Sequence, residues 1–417
     1  MEPPIVIVQN SLAAADVHSL SEKPWDVIVI GAGPAGGVAA LGAVRNGLRT
    51  LLLDRKQFPR PKVCGACINR RAMAGLAAAG LAEVVQSLEG VPLRAFQVHS
   101  PSSRANIPFD FSSVAIGRGP FDDAIVRQVV AAGGTFLPGV TATVAADLVG
   151  ERRRVKLRTA DRELTAHTSL VIAADGLSQS CLRSLPEFTS RVARGTRVGV
   201  GGQLSADKSS MYQPGTIYMA VDRAGYVGVV RLADGRLNVA AAFDPQAIKH
   251  ATHQADLVAA TLRAADFEVP ASLFSAEWSG TAGLTRRSNR VASKRVLVVG
   301  DAGGYVEPFT GEGIAWAVTT GAAAGAIATE GVAAWTSGIE RKWTADYARL
   351  VRRHQFWCRA LVRMLRSPMM VNSSLRLLNK FPKIARPVLK HLNAPVNFGP
   401  SGRGQRTRIS KEKSHGV

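Results

Sequence analysis

The stretch DVIVIGAGPAGGVAALGAVRNGLRTLLLD, residues 26–54, constrains the fold more than any other part of the chain. Val27 to Ile30 are uniformly apolar, as a strand buried on both faces requires. Gly31, Gly33 and Gly36 follow in the spacing G-x-G-x-x-G, with Pro34 and Ala35 between the last two. Ala35 to Arg45 reads as a helix stopped by Gly47, and Thr50 to Leu53 as a second buried strand closing on Asp54. Gly31 permits the tight turn, Gly33 lets the backbone approach a pyrophosphate, and Gly36 lets helix and strand pack closely. The helix start offers free N–H groups and a positive dipole end to phosphates. Asp54, about 20 residues on, accepts hydrogen bonds from a ribose. Strand, glycines, helix, strand and acid in this order predict an α/β dinucleotide-binding fold. The fingerprint alone does not choose between FAD and a nicotinamide.

Two later segments repeat the motif of an apolar strand ending in an acid. Leu170 to Ala173 closes on Asp175-Gly176, and Val296 to Val299 on Gly300-Asp301. A glycine-rich loop with Pro308 then leads to Gly311-Glu312-Gly313 and a helix of small residues. Ligands in doubly wound sheets bind at the carboxyl ends of strands, so Asp301 is placed to hold the hydroxyls of a ribityl chain. A helix starting near Gly313 would stabilise a reduced flavin by roughly 1–2 kcal/mol if partly buried. For either aspartate taken alone, a turn or cap is the plainer reading.

Taken together, GAGPAG with Asp54, FPRPKVCG, GRGPFDDAIVRQVVAAGG, ADGLSQSCLR and GDAGGYVEPFTGEGI resemble the single-Rossmann flavoproteins of the hydroxylase and halogenase superfamily. More narrowly, they resemble the geranylgeranyl reductase family of FAD-dependent oxidoreductases. The resemblance implies a Rossmann-like FAD-binding domain (25–90, 112–185 and 286–335) with an inserted antiparallel β-sheet substrate domain (91–111 and 186–285). A basic helical region (336–400) follows. It also implies that Gly31, Gly33, Pro34, Ala35, Gly36, Asp54 and Arg55 hold the ADP half of FAD, and that Arg118 precedes a cofactor-contacting helix. Asp175 and Gly176 would serve FAD and incoming NAD(P)H, and Gly300, Asp301 and Pro308 the ribityl side. Gly311, Glu312, Gly313 and Ile314 would border the isoalloxazine. Lys62 and Cys64 would form a flavin-side loop, with Cys64 touching substrate or helping to deliver a proton. Asp54 departs from the glutamate more usual in the family. No second strand–G-x-G-x-x-G–helix unit occurs, so a nicotinamide is expected to bind transiently.

Cys64 and Cys67 also have the spacing of a thiol redox pair or half a zinc site. Zinc would need a second ligand pair, and neither Cys181 nor Cys358 lies in a matching cluster, so no metal is expected. The dithiol alternative stays open, with Cys67 as a packing residue the plainer reading. His99, His253 and His354 are isolated and read as structural.

Residues 215–243, GTIYMAVDRAGYVGVVRLADGRLNVAAAF, alternate and turn at Asp234-Gly235, which predicts antiparallel strands. In the resembled family such a sheet covers the flavin and walls the substrate. Tyr218, Tyr226 and Trp278 are candidate substrate contacts, against the plainer reading of core packing. The stretch lacks the tryptophan and Phe-Pro usual in that branch, and the W-x-W-x-I-P stretch of tryptophan-type halogenases is absent. The expected activity is FAD-dependent reduction of a C=C bond in an apolar, prenyl-type molecule. One alternative is oxygenation or halogenation of an aromatic or polyketide product. Another is a non-catalytic flavoprotein recruited by its basic end.

That basic end is the other unusual feature. The chain carries a formal charge of +21, and residues 341–417 hold 18 Lys and Arg against two acids. Pro368, Pro382 and Pro387 divide the region into short helices with apolar residues among arginines. Such helices suit an anionic membrane surface, although a solvated face is the plainer reading. Nucleic acid is not expected, because few aromatics interleave for base stacking. Residues 1–24 lack the pattern of a secretory signal and read as a flexible extension, and 401–417 as a disordered tail. No apolar run reaches about 18 residues. A cytoplasmic protein is expected, peripheral on the inner membrane face if the basic region docks there.

Overall fold

The apolar runs become the centre of a parallel sheet. The structure, a computed structural model, describes residues 23–108, 112–205, 211–307, 309 and 311–394. Most of the N-terminal extension, Pro308 and the 401–417 tail therefore lie outside the described residues. Strand Trp25–Ile30 lies between Thr50–Asp54 and Glu163–Ala173. Thr135–Pro138 flanks the former and Val296–Val298 the latter, all in parallel register. Val27 to Val29, Leu51 to Leu53, Leu170 to Ala173 and Val296 to Val298 are all fully buried. That is why these strands read as continuous apolar runs instead of alternating ones. Chain return from Thr135–Pro138 to Glu163–Ala173 runs through an antiparallel meander, Thr141–Val149 and Arg152–Arg158.

Helix Pro34–Arg45 packs along the long helix Gly313–Ala333. Their backbones meet at Gly42 and Gly325, where a Cβ on either would stand 3.0 Å from the other's Cα. The small-residue composition of both helices permits this approach and brings two helix N-termini to one edge of the sheet.

A second, seven-stranded sheet takes its strands in the order 279–283, 198–204, 237–243, 225–231, 216–222, 95–100, 103–108. All pairs are antiparallel except 216–222 with 95–100. Helix Gln254–Ala264 covers one face, and Val200, Val239, Phe243, Val258 and Leu262 form a core there. The hairpin at Asp234-Gly235 falls where the alternation predicts it.

The C-terminal helices bind both sheets. Trp343 Nε1 donates to Val298 O at 3.3 Å and Tyr347 Oη to Gly300 O at 3.0 Å, fixing helix Ser337–Tyr347 beneath the parallel sheet. Helices Arg353–Met364 and Pro368–Lys380 follow, and Leu365, Val371 and Leu375 pack on Phe96, Val98 and Ile107 of the second sheet. Among the described residues no helix is long and apolar enough to cross a membrane.

Candidate active site

The carboxyl ends of the parallel strands open onto a cavity of about 610 Å3 that extends to the second sheet. The parallel-sheet side supplies charged groups, including Asp54, Arg60, Lys62, Arg118, Asp175 and Asp301. The second sheet supplies apolar ones, among them Phe96, Ile217, Met219 and Val230.

Gly31 turns the chain at φ +105°, and a Cβ there would stand 2.4 Å from Ala174 O. A Cβ on Gly36 would stand 1.8 Å from Gly31 O, so Gly36 lies under the turn and outside the cavity lining. Gly31, Gly33, Pro34 and Ala35 line it. Gly33 caps helix Pro34–Arg45 in extended conformation with no side-chain cap, leaving the first N–H groups for a ligand. The guanidinium groups of Arg60 and Arg118 lie 3.6 Å from where a Gly33 Cβ would be. Two positive groups over uncapped N–H donors form a cradle for a pyrophosphate.

Asp54 ends the second strand as expected. Its Oδ2 accepts from Ala32 N at 3.0 Å and Arg60 Nε at 3.2 Å, and its Oδ1 from Lys56 N at 3.0 Å. Arg60 also lies 3.6 Å from Asp122, which receives two bonds of 2.8 Å from Arg118. Burial opposes the charge on Arg118, but Asp122 outweighs it and raises the guanidinium pKa. Arg55 is exposed at the cavity rim. Arg60 and Asp122 were not among the predicted site residues. Their signals lie in the quoted motifs: Arg60 in FPRPKVCG, and Asp122 one helical turn beyond Arg118.

Asp175 Oδ2 accepts from Cys181 N at 2.8 Å and Ser180 Oγ at 3.2 Å, while its buried Oδ1 has no partner among the described residues. Burial raises its pKa. Gly176 follows on the cavity wall, and Lys62 Nζ lies 3.5 Å from where a Gly176 Cβ would stand. Asp301 lines the cavity, and among the described residues no protein group donates a hydrogen bond to its carboxylate. Burial pushes its pKa up, with Lys62 and Arg118 pulling the other way. Lys62 is open to the cavity yet enclosed by the surrounding protein, so burial lowers its ammonium pKa against the pull of Asp301. Gly300 does not line the cavity; its N–H donates to Thr320 Oγ1 at 2.9 Å beneath the turn. The uncapped helix start, the orphaned Asp175 oxygen and the unsatisfied Asp301 fit the phosphates and polyol of FAD.

Gly311, Gly313 and Ile314 line the cavity. Glu312, expected beside them, instead turns away from it into the protein. Its Oε1 accepts from Asn69 Nδ2 at 3.0 Å and its Oε2 lies 3.8 Å from Arg71 Nη1. Both side chains are fully buried. At this loose separation burial outweighs the attraction, pushing the Glu312 carboxyl up to about 8 and lowering the Arg71 pKa. Successive residues of an opening helix point about 100° apart, so neighbours of a cavity-lining glycine need not face the cavity.

Cys64 lines the cavity, and its carbonyl accepts from Asn238 Nδ2 at 2.8 Å, tying the Lys62–Cys64 loop to the second sheet. Cys67 also borders the cavity and packs against Gly311, with burial pushing its thiol up to about 12. All four cysteines are free.

Strand alternation decides two of the three aromatic candidates, Tyr226 and Tyr218, while Trp278 lies just before a strand. Tyr226 faces the cavity, with the Arg197 guanidinium 5.6 Å from its ring centroid and Arg197 paired to Glu307 at 3.1 Å. Tyr218 lies between cavity-lining Ile217 and Met219 and so points to the opposite face. Its Oη accepts from Gln213 N at 3.0 Å and its ring meets Tyr212 and Phe267 edge-on. Trp278 sits on that face too, donating to Leu273 O at 3.2 Å. Met219, Gly228 and Ala240 pair across three strands, and two small residues in this row hollow the cavity wall. Phe96, Tyr305 and Phe309 complete the aromatic lining. None was singled out from sequence, because their place on the wall comes from contacts with distant elements, such as Phe309 against Phe96 and Tyr226.

The family profile described as "FAD binding domain" matches residues 24–327. A menaquinone reductase of Mycolicibacterium smegmatis is 28% identical over 350 residues, 78% of this chain and 82% of that one. A digeranylgeranylglycerophospholipid reductase of Methanothermobacter thermautotrophicus is 26% identical over 357 residues, again 78% and 82%. Among solved structures, a flavoprotein/dehydrogenase from Cytophaga hutchinsonii superposes with a TM-score of 0.75 at 18% identity, covering 88% of this chain and 92% of that one. That likeness concerns the fold. With three strand ends, two helix N-termini and a matching profile, the chain belongs to the FAD binding domain family and is an FAD-dependent oxidoreductase related to geranylgeranyl reductase-type flavoproteins.

Proposed function

We propose that the chain reduces a C=C bond in the isoprenoid part of an apolar lipid, with electrons delivered by NAD(P)H. The observation that carries this reading is the cavity's split character: a charged, uncapped cofactor side continuous with an apolar side hollowed by Gly228 and Ala240. The names of the two reductases with similar sequences support the same substrate class. FAD, which the Gly31–Ala35 turn, Asp54, Arg118 and Asp301 would hold, would supply the two-electron redox chemistry, with the donor as electron source and hydride transfer to one alkene carbon as its outcome. The second carbon needs a proton, which the chain's residues must hold in place. Lys62 and Cys64 both lie on the loop fixed by Asn238 and border the cavity. The lowered ammonium pKa of Lys62 makes its proton easier to release than that of a solvated lysine.

Turnover with prenylated quinones and prenylated glycerophospholipids under anaerobic NADPH tests the reading by product mass. Gain of two hydrogens supports it. Gain of one oxygen when air is admitted, with no reduction in its absence, would make the protein a monooxygenase. Replacing Cys64 with serine is expected to lower turnover about 100-fold with FAD still bound, if its thiol serves proton delivery. Cys67→Ser is expected to stay within about threefold of the parent, because the buried thiol, although it borders the cavity, is held in packing against Gly311. Equal losses from both, measured as kcat, would return the pair to a dithiol role.

A further inference from the structure

We propose that the outer face of helices Arg353–Met364 and Pro368–Lys380, with the turn that follows, is a docking surface for an anionic phospholipid bilayer. Helical periodicity separates the two faces cleanly. Gln355, Cys358, Val362 and Leu365 turn inward in the first helix region, and Val371 and Leu375 in the second. The opposite faces carry large apolar side chains in contact with solvent. Phe356 is 64% exposed, Met369 79% and Met370 52%, with Leu377 at 49%, Phe381 at 48% and Ile384 at 51%. Isolated exposed apolar residues need no explanation, but four on the outer sides of these two helices and two more in the turn after them concentrate apolar surface in one segment.

The charge around the patch selects the partner. From Tyr347 through Ala394 the chain has 11 Lys and Arg and not one Asp or Glu. Arg363, Arg376 and Lys380 are exposed among the apolar residues. Arg352 and Arg359 crowd Arg287, and this like charge, after burial, lowers both guanidinium pKa values. Such a cluster favours phosphate oxygens. A second copy of the chain would set this basic face against a molecule of net charge +21, which charge complementarity disfavours. An anionic bilayer accepts both components, headgroups for the arginines and acyl chains for the methionines and phenylalanines.

Position gives the surface its use. Leu365, Val371 and Leu375, on the inner sides, pack in one cluster with Phe96 and Tyr226, which line the cavity. Asn393 also lines it. The bilayer would thus lie about one helix diameter, ~10 Å, from the apolar side of the cavity. An isoprenoid lipid then enters without crossing bulk water. Vesicle binding does not depend on the proposed reaction, so either can fail alone.

Co-sedimentation of the full chain with FAD bound tests the proposal, using vesicles of phosphatidylcholine alone or mixed equally with phosphatidylglycerol. The expected partition onto the mixed vesicles is at least about tenfold stronger and falls with added salt. The double variant Met369→Glu/Met370→Glu is expected to lose about tenfold at either salt level, with flavin absorbance and melting temperature retained. The double variant Arg376→Glu/Lys380→Glu provides a second reading on exposed positions, with loss at low salt only. Equal or absent binding to both vesicle types overturns the proposal. So does binding that neither variant weakens, or a shift in oligomeric state in place of vesicle binding.

Discussion

Replacing Asp301 with alanine is expected to weaken FAD binding about 100- to 10,000-fold while leaving the apoprotein at least as stable as the parent. The two effects have one cause. Burial raises the carboxyl pKa of Asp301, and no described protein group hydrogen-bonds the carboxylate. In the apoprotein it is a half-buried carboxylate facing the cavity, with the charges of Lys62 and Arg118 as its nearest electrostatic support and no protein hydrogen bond to lose. Two charge-assisted bonds from a polyol, at about 1.5–3 kcal/mol each, supply what the protein withholds. Fluorescence titration with FAD and calorimetry of the apoprotein measure the two halves separately. A fall of several degrees in apoprotein melting would instead assign Asp301 to the structural framework.

Stability should fall as pH rises from about 4.5 to 8, and Glu312→Gln should remove much of that fall. The carboxyl has its ordinary value of 4.5 when unfolded and is pushed up to about 8 by burial in the fold. Between those values the folded state holds a proton that the unfolded state has released, so stability declines with pH at up to about 1.4 kcal/mol per unit. The contribution is complete below 4.5 and lost as pH passes 8. Glutamine keeps the bond from Asn69 without the titration. Denaturant midpoints at pH 5 and pH 8 should therefore converge in the variant, with its gain of several kcal/mol confined to the higher pH. A parent profile that stays level over this range would mean that Arg71 holds the carboxylate ionised despite the 3.8 Å gap.

The parallel sheet was legible because burial on both faces leaves a direct mark: Val27 to Ile30 and Val296 to Val299 are unbroken apolar runs. Gly31 and Asp54 were legible because backbone geometry and strand-end position are local properties. Tyr218 was not, since facing toward or away from a cavity is decided by register with strands elsewhere in the chain, and Trp278 is held off the cavity by packing on the far face of the sheet. Glu312 failed for a related reason. Its partners Asn69 and Arg71 are some 240 residues away, and nothing between Gly311 and Gly313 announces them. Arg60 lay inside a quoted motif, but its two carboxylates meet only where the strand end and helix Arg118–Ala131 converge.

The alternation of the second sheet has an evolutionary corollary. Met219, Gly228 and Ala240 belong to the ligand side, whereas Tyr218, Val227 and Val239 belong to the core under helix Gln254–Ala264. Substitutions on the first set can reshape what fits without disturbing the second. A lineage carrying this sheet can therefore diversify its chemistry one parity at a time, drifting between substrates while the scaffold stays under unchanged selection.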